Sequence, residues 1–406
     1  MTLAAPARPT PTGRRRRPHP LDVVAVVLAL VGVGCVLGGL LPRADAGATL
    51  HRILPLLLFL GTVVVLAELT AVAGVFDLLG TRLAIAARGS WVRLFLLCMG
   101  FAAVTTVTLN LDTTAVLLTP VVLALAGNLG VAPAPLAVTT VWLANTASLL
   151  LPVSNLTNLL AADRLGLDPL AFAARMWLPQ LAALVVTGLV LWFGWWRRYR
   201  PPGGRFSPPP RQRPADPVLY RTALAACLVF VGGVLAEVEI GIVSSVAAAL
   251  VLAGFAVRSP RTLGLHLVPW RLLVFVTGLF LVVQTLGRWG LDHLVAALLG
   301  HGDGTAGLLR AGGTGALLAN AVNNLPAYLA GESVLPPDAA PRLLALLIGT
   351  NAGPLAVPWA SLATLLWFER CRSAGVAVPV RRFLLTGGLL AATATAAAVG
   401  ALALTT

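Results

Sequence analysis

Apolar residues run along this chain in long blocks, separated by short polar interruptions. The blocks fall near 21–41, 54–76, 91–109, 112–127, 135–151, 172–196, 218–236, 239–257, 271–287, 311–330, 342–367 and 383–403. Most approach the roughly 20 residues that a helix needs to cross hydrocarbon. Two, 112–127 and 311–330, are short and polar at one end, the pattern of a re-entrant hairpin or a broken helix. The most polar interruption, "RRYRPPGGRFSPPPRQRPADPVLYR" at 197–221, carries seven Arg and a single acid, Asp216, and divides the chain near its middle. It is the expected cytoplasmic loop between two halves.

The halves carry related polar patterns. "WLANTASLLLPVSNLTNLL" begins at Trp142 and "IGTNAGPLAVPWASLATLL" at Ile348, an offset of 206 that aligns Asn145 with Asn351 and Pro152 with Pro358. Each follows an earlier polar stretch, Asn110–Leu111–Asp112 in the first half and "NAVNNLP", Asn320 to Pro326, in the second. Prolines break the helical ladder, and Gly353 and Pro354 reinforce the break in the second copy. Duplicated halves with interruptions in matching places point to a secondary transporter. The expected fold is an all-α polytopic membrane protein of about 10–12 segments, built from two inverted repeats that each hold a re-entrant hairpin and a broken transmembrane helix. The expected divisions are a disordered basic tail at 1–20, a first repeat at 21–196, the Arg/Pro-rich loop at 197–217 and a second repeat at 218–406. Five crossings per half would put the tail and the central loop on opposite sides, although arginine in both assigns both to the cytoplasm.

Composition narrows the class further. Only 11% of residues are charged and mean hydropathy is +0.89, against about 25% charged in soluble domains. The net charge of +14 sits between apolar blocks, as loops flanking membrane spans do, with no aromatic-interleaved surface for nucleic acid. Cys35, Cys98, Cys227 and Cys371 are scattered and form no disulfide or metal-ligand spacing. There is no phosphate-binding GxxxxGK[ST] motif, no GxSxG and no HExxH, and the histidines sit in tails or loops. No cofactor, no metal and no enzymatic activity are expected. The expected location is the cytoplasmic membrane, multi-pass.

Candidate chemistry lies in the interruptions. A carboxylate at membrane depth is costly and must face protein or water. Asp112, with Asn110 and Thr113 beside it, is read as part of a binding site or of its ion coupling; the alternative is a hairpin-tip acid that caps a helix. Asn145 and Asn351 can bind a polyhydroxy solute or a cation, or can join helices. Ser154, Asn155, Thr157 and Asn158 follow the first break, and Ser361 and Thr364 replace Asn155 and Asn158 in the second. Asn320, Asn323, Asn324 and Pro326 mark the other interruption. Glu68, inside an apolar block, is a weaker candidate for a relay or a helix-pair contact.

"NLDTTAVLLTP", "WLANTASLLLPVSNLTNLL", "NAVNNLPAYLA" and "LLIGTNAGPLAVPWASLATLLWFER" resemble the arsenite/antimonite efflux permease family, part of a superfamily of citrate, dicarboxylate and sodium/proton carriers. The resemblance implies inverted repeats with hairpins and broken helices. It also implies export of trivalent arsenic or antimony against proton entry, in some members with a soluble ATPase subunit. Asp112 falls at the family's hairpin acid, which in many members directly follows Asn; here Leu111 intervenes. Asn155, Asn158, Asn323, Asn324 and Asn351 fall at its amide positions. A proton- or sodium-coupled carboxylate carrier and a sodium/proton antiporter are the alternatives. The expected partners are membrane lipid, a small inorganic solute, protons or sodium, and a second copy of the chain.

Overall fold

The computed structural model describes residues 20–210, 213–236, 238–302 and 304–405. The basic tail before Pro20, Arg211 of the central loop and Glu237 lie outside the described residues. The first half is built from α1 (Pro20–Leu37), α2 (Arg43–Val72), α3 (Val75–Ala86), α4 (Trp91–Leu109), α5 (Leu111–Leu129), α6 (Pro133–Thr146), α7 (Leu156–Leu165) and α8 (Pro169–Trp196). The second is built from α9 (Pro217–Leu235), α10 (Ile240–Arg258), α11 (Trp270–Leu299), α12 (Thr305–Val322), α13 (Asn324–Val334), α14 (Ala340–Ala352), α15 (Leu362–Ser373) and α16 (Val380–Ala403). Eight stretches among the described residues are long and apolar enough to cross a membrane. Large apolar side chains on their outer faces are exposed, Leu54, Leu96, Leu228 and Leu385 among them, the surface that lipid covers rather than water.

The two broken helices cross in opposite directions. α7, after the first break, packs on α14, before the second; α15, after the second, packs on α6, before the first. Trp367 on α15 donates its indole N–H to the Ala137 carbonyl on α6 (2.8 Å). Two parallel segments would set like against like, so this exchange of partners requires an antiparallel pair and hence an inverted repeat. The outer helices exchange in the same way: α1 lies along α11, and α10 along α2. α2–α3 and α11 are each kinked at a left-handed glycine, Gly74 (φ 76°) and Gly290 (φ 106°).

That pairing leaves α9 without a counterpart among the described helices, and it removes the conflict over sidedness. α3 has 12 residues, about 18 Å at 1.5 Å per residue, too short to cross. The apolar block at 91–109, a full span in the five-crossing count, is α4, one arm of a hairpin that turns at Asn110; the first half thus crosses four times (α1, α2, α6–α7, α8) rather than five, and α1 begins on the central-loop side. α9 then carries the chain back across and inverts the helices after it. The hairpins are also larger than the short polar blocks suggested. α4 and α5 form the first, with its tip at Asn110, and α12 and α13 form the second, with its tip at Asn323. The Thr106 and Thr114 hydroxyls are 3.2 Å apart; a straight helix would separate residues eight apart by about 12 Å.

Aromatic packing anchors the central-loop end. Trp195 and Trp196 suit a lipid-interface belt by position, but both are fully buried. Trp196 donates to the Thr139 hydroxyl (2.8 Å), and its carbonyl accepts from the Trp91 indole (2.8 Å).

Candidate functional site

Both hairpin tips adopt the same unusual backbone. Asn110 has φ 98° and ψ 167°, Asn323 φ 108° and ψ 154°. Side chains avoid that region, which costs on the order of 1–3 kcal/mol and persists only where the surroundings enforce it. The enforcement is a cap. Asn110 Oδ1 accepts from the Thr113 N–H (2.9 Å), and Asn323 Oδ1 from the Leu325 N–H (3.4 Å), meeting backbone donors that a helix start leaves open. Asn324 is buried just past the second tip.

The breaks repeat each other as closely. After Leu151 and Val357, both extended, Pro152 and Pro358 each begin a single 3-10 turn, and Asn155 and Ser361 return the chain to helix from extended conformations. Each tip is tied to the break of its own half. The Ser154 hydroxyl donates to the Val107 carbonyl (3.0 Å). Asn320 donates to the Gly353 carbonyl (2.7 Å) and accepts from the Ala356 N–H (3.1 Å), Asn323 donates to the Trp359 carbonyl (3.0 Å), and the Trp359 indole donates to Asn320 (3.0 Å). The tips therefore sit midway along the broken crossings. Close approach of Gly349 on α14 to the Gly312 carbonyl on α12, where a side chain would collide, holds this second unit together.

The two halves meet at the crossing. The Thr157 hydroxyl donates to Asn351 Oδ1 (2.7 Å), Asn351 Nδ2 donates to Asn158 Oδ1 (2.7 Å), and Asn158 Nδ2 donates to the carbonyls of Ser148 (2.6 Å) and Leu151 (2.9 Å). The corresponding positions on the other face of the crossing behave differently. Asn145 donates to Val141 on its own helix (2.9 Å) while its Oδ1 has no partner. Ser361 Oγ, Thr364 Oγ1 and Asn155 Nδ2 have none either, and all four residues are at most 2% exposed. Buried polar atoms left unpaired are rare and costly, so the crossing is chemically unsaturated, at Asn145 and Thr364 on this face and at the two corresponding helix starts, Asn155 and Ser361. It offers an amide oxygen, an amide N–H and two hydroxyls, and no cation.

A cavity of about 940 Å³ reaches the tips, with Asp112, Thr113, Asn323 and Pro326 in its wall and Glu68 of α2 beside them. His266, Arg271 and Arg370 line it at the other end. That end is the central-loop side, because Arg258, just before, pairs with Asp216 of the central loop (3.0 Å). Backbone N–H groups and Arg258 hold the Asp216 carboxyl below its ordinary range. One Asp112 oxygen and the Thr113 hydroxyl are sealed and unbonded. The far side is fastened by ions instead. Arg52 of α2 grips the buried Glu332 of α13 with two N–H groups (2.9 and 3.3 Å) and lies 3.6 Å from Asp163 at the end of α7.

The chain matches the family described as citrate transporter over residues 15–363. The chain belongs to that family. It is a membrane transport protein, similar also to curated proteins named for arsenicals, as its motifs suggested. An Arsenical pump membrane protein of Escherichia coli K12 is 31% identical over 280 residues, 64% of this chain and 65% of that one. The match thus spans just under two thirds of that relative's length. Another of the same name from Escherichia coli is 30% identical over 304 residues, 70% of each chain. Among solved structures, the YdaH transporter of Alcanivorax borkumensis superposes with a TM-score of 0.55 over 95% of this chain and 98% of that one. At 15% identity, that likeness speaks for the fold alone.

In this citrate-transporter family member the sequence motifs locate the crossing but miss two supports. Gln180 on α8 accepts from the Leu149 N–H and donates to the Thr146 carbonyl (2.9 Å each), closing backbone that the first break frees. A lone amide in an apolar block next to Pro179 was the available signal. The Arg52–Glu332 pair spans 280 residues, and nothing local marks it.

Proposed function

We propose that this chain is a secondary active exporter of arsenite and antimonite that exchanges them for protons, with its substrate site at the unpaired polar groups of the crossing. The observation that carries this reading is the set of unpaired buried atoms at Asn145, Asn155, Ser361 and Thr364. Arsenous acid is neutral near pH 7 and carries three hydroxyls, each able to donate and accept; amides and hydroxyls suit it and no cation is required. The names of the arsenical relatives support the same substrate. Asp112 is the coupling acid: it lines the cavity open to the central-loop side, where a proton carried in from the far side would be discharged. The Arg52–Glu332–Asp163 fastening closes the far side in this state, and alternating access exchanges the two. Positive-inside charge puts the central loop in the cytoplasm and the chain in the cytoplasmic membrane. A second copy and a soluble ATPase subunit are partners to test by co-purification.

A citrate-like carboxylate is the second reading, favoured by the family's description. Such an anion wants cationic donors, and those lining the cavity stand at its mouth rather than at the crossing. Uptake of radiolabelled arsenite into everted vesicles, with an imposed proton gradient and without, separates them. Gradient-dependent arsenite accumulation is expected, together with its loss in Asp112→Asn. Accumulation of citrate or succinate without arsenite would transfer the chain to the carboxylate carriers, and sodium-driven proton exchange with neither would make it a cation antiporter.

A further inference from the structure

The cavity holds a second carboxyl that the proposed exchange has not used. Glu68 sits on the face of α2 formed by Val64, Ala67 and Glu68, all of which line the cavity; residues three and four apart on a helix share a face. The π-helical turn Thr114–Leu118, directly after Asp112, packs on α2, so both acids belong to adjoining walls. Neither acid bonds or pairs with any described group. They differ in access. Asp112 has one sealed oxygen, and the adjacent Thr113 hydroxyl, in a residue only 4% exposed, is sealed and unbonded too. The Glu68 oxygens are not sealed and open on the cavity.

The cavity has other charged groups in its wall. His266, Arg271, Glu369 and Arg370 line its central-loop end. On the neighbouring helices, Cys227 of α9 contacts Thr70 of α2 (3.5 Å), and α10 carries Arg258 as its one ionisable group, paired with Asp216.

We propose that Glu68 is a second proton-carrying group of the coupling path, standing between Asp112 and the water of the cavity. Asp112 gives up its proton as its O–H bond breaks, the Glu68 carboxylate takes it, and Glu68 then releases it to cavity water as hydronium. The step needs no other reactant. It rests on the reading of Asp112 as the coupling acid.

The full chain in proteoliposomes tests it with E68Q and E68D. Gradient-driven arsenite accumulation is expected to fall about tenfold or more in E68Q and largely to return in E68D, while arsenite counterflow without a gradient stays within about twofold. Equal loss of both activities in E68Q would reduce Glu68 to a structural contact. An unchanged pH profile of driven transport would remove it from the path. Infrared hydrogen–deuterium exchange at the carboxyl stretch needs no solute: if Glu68 stands between Asp112 and the cavity water, E68Q should slow exchange of the Asp112 carboxyl about tenfold or more. Unchanged exchange overturns the proposal even if arsenite is not the substrate, whereas inert wild-type vesicles with exchange slowed in E68Q would overturn only the arsenite reading.

Discussion

The two faces of the crossing are built from corresponding residues and finished differently. On one, Asn351 has both ends of its amide met by Thr157 and Asn158 of the other half. On the other, Asn145 faces the start of α15, where the same offset puts Ala363 in place of Thr157 and Thr364 in place of Asn158. Alanine offers nothing, and a threonine hydroxyl is too short to replace an amide. The fold is duplicated, then, but only one copy of the contact is a fastening. An unpaired buried polar group costs about 1–3 kcal/mol, and at membrane depth no bulk water relieves it. Atoms kept in that condition at four places around one crossing are best explained by something that visits and completes their bonds.

The largest effect should come from breaking the finished face. Asn351→Ala removes a donor and an acceptor and strands Asn158 Oδ1, a cost of about 3 kcal/mol. In detergent, the thermal midpoint followed by size-exclusion fluorescence should fall by roughly 6–12 °C. A wild-type midpoint would mean that the halves are not held together here.

Asn145→Ala makes the same change on the unfinished face and should separate stability from transport. Its Oδ1 has no partner to lose, and its only bond is to Val141 within its own helix. The midpoint should stay within about 3 °C, while the arsenite KM rises about tenfold, as loss of one hydrogen bond to a bound solute predicts. If Asn145→Ala melts as Asn351→Ala does, the faces are equivalent fastenings and the binding face must be sought elsewhere.

How much of this was legible beforehand depends on how much a linear pattern can hold. The repeat was visible because Asn and Pro recur at one offset in a chain otherwise rich in Leu, and both tips and both breaks fall where those residues are. Which amides would bond was not visible, because Asn351 finds its partners 193 and 194 residues away. Nor could the pattern show that Thr364 and Asn145 stay apart while Asn158 and Asn351 meet. Crossing number failed for a different reason: the block at 91–109 is apolar and long enough to cross, and only the turn at Asn110 makes it an arm of a hairpin. The burial of Trp195 and Trp196 was not legible either, because an indole beside arginines suits both a lipid interface and a packed core, and the choice depends on α4 and α16 arriving around them.

The smallest effect is also the most discriminating, because its sign reverses the usual outcome of a core substitution. Thr364→Val keeps the volume and removes a hydroxyl that has no partner. Most buried substitutions destabilise; deleting an unsatisfied polar atom should instead stabilise by about 1 kcal/mol, raising the midpoint by roughly 2–4 °C. If the hydroxyl is part of the site, the same variant should bind arsenite about threefold more weakly, the loss of one modest hydrogen bond. A higher midpoint with unchanged arsenite affinity would show that Thr364 is simply a poorly satisfied residue, and the asymmetry between the faces would then lie in Asn145 and Ser361 alone. A lower midpoint would show that the hydroxyl already has a partner, a buried water most simply, and that the open face is hydrated between transport events.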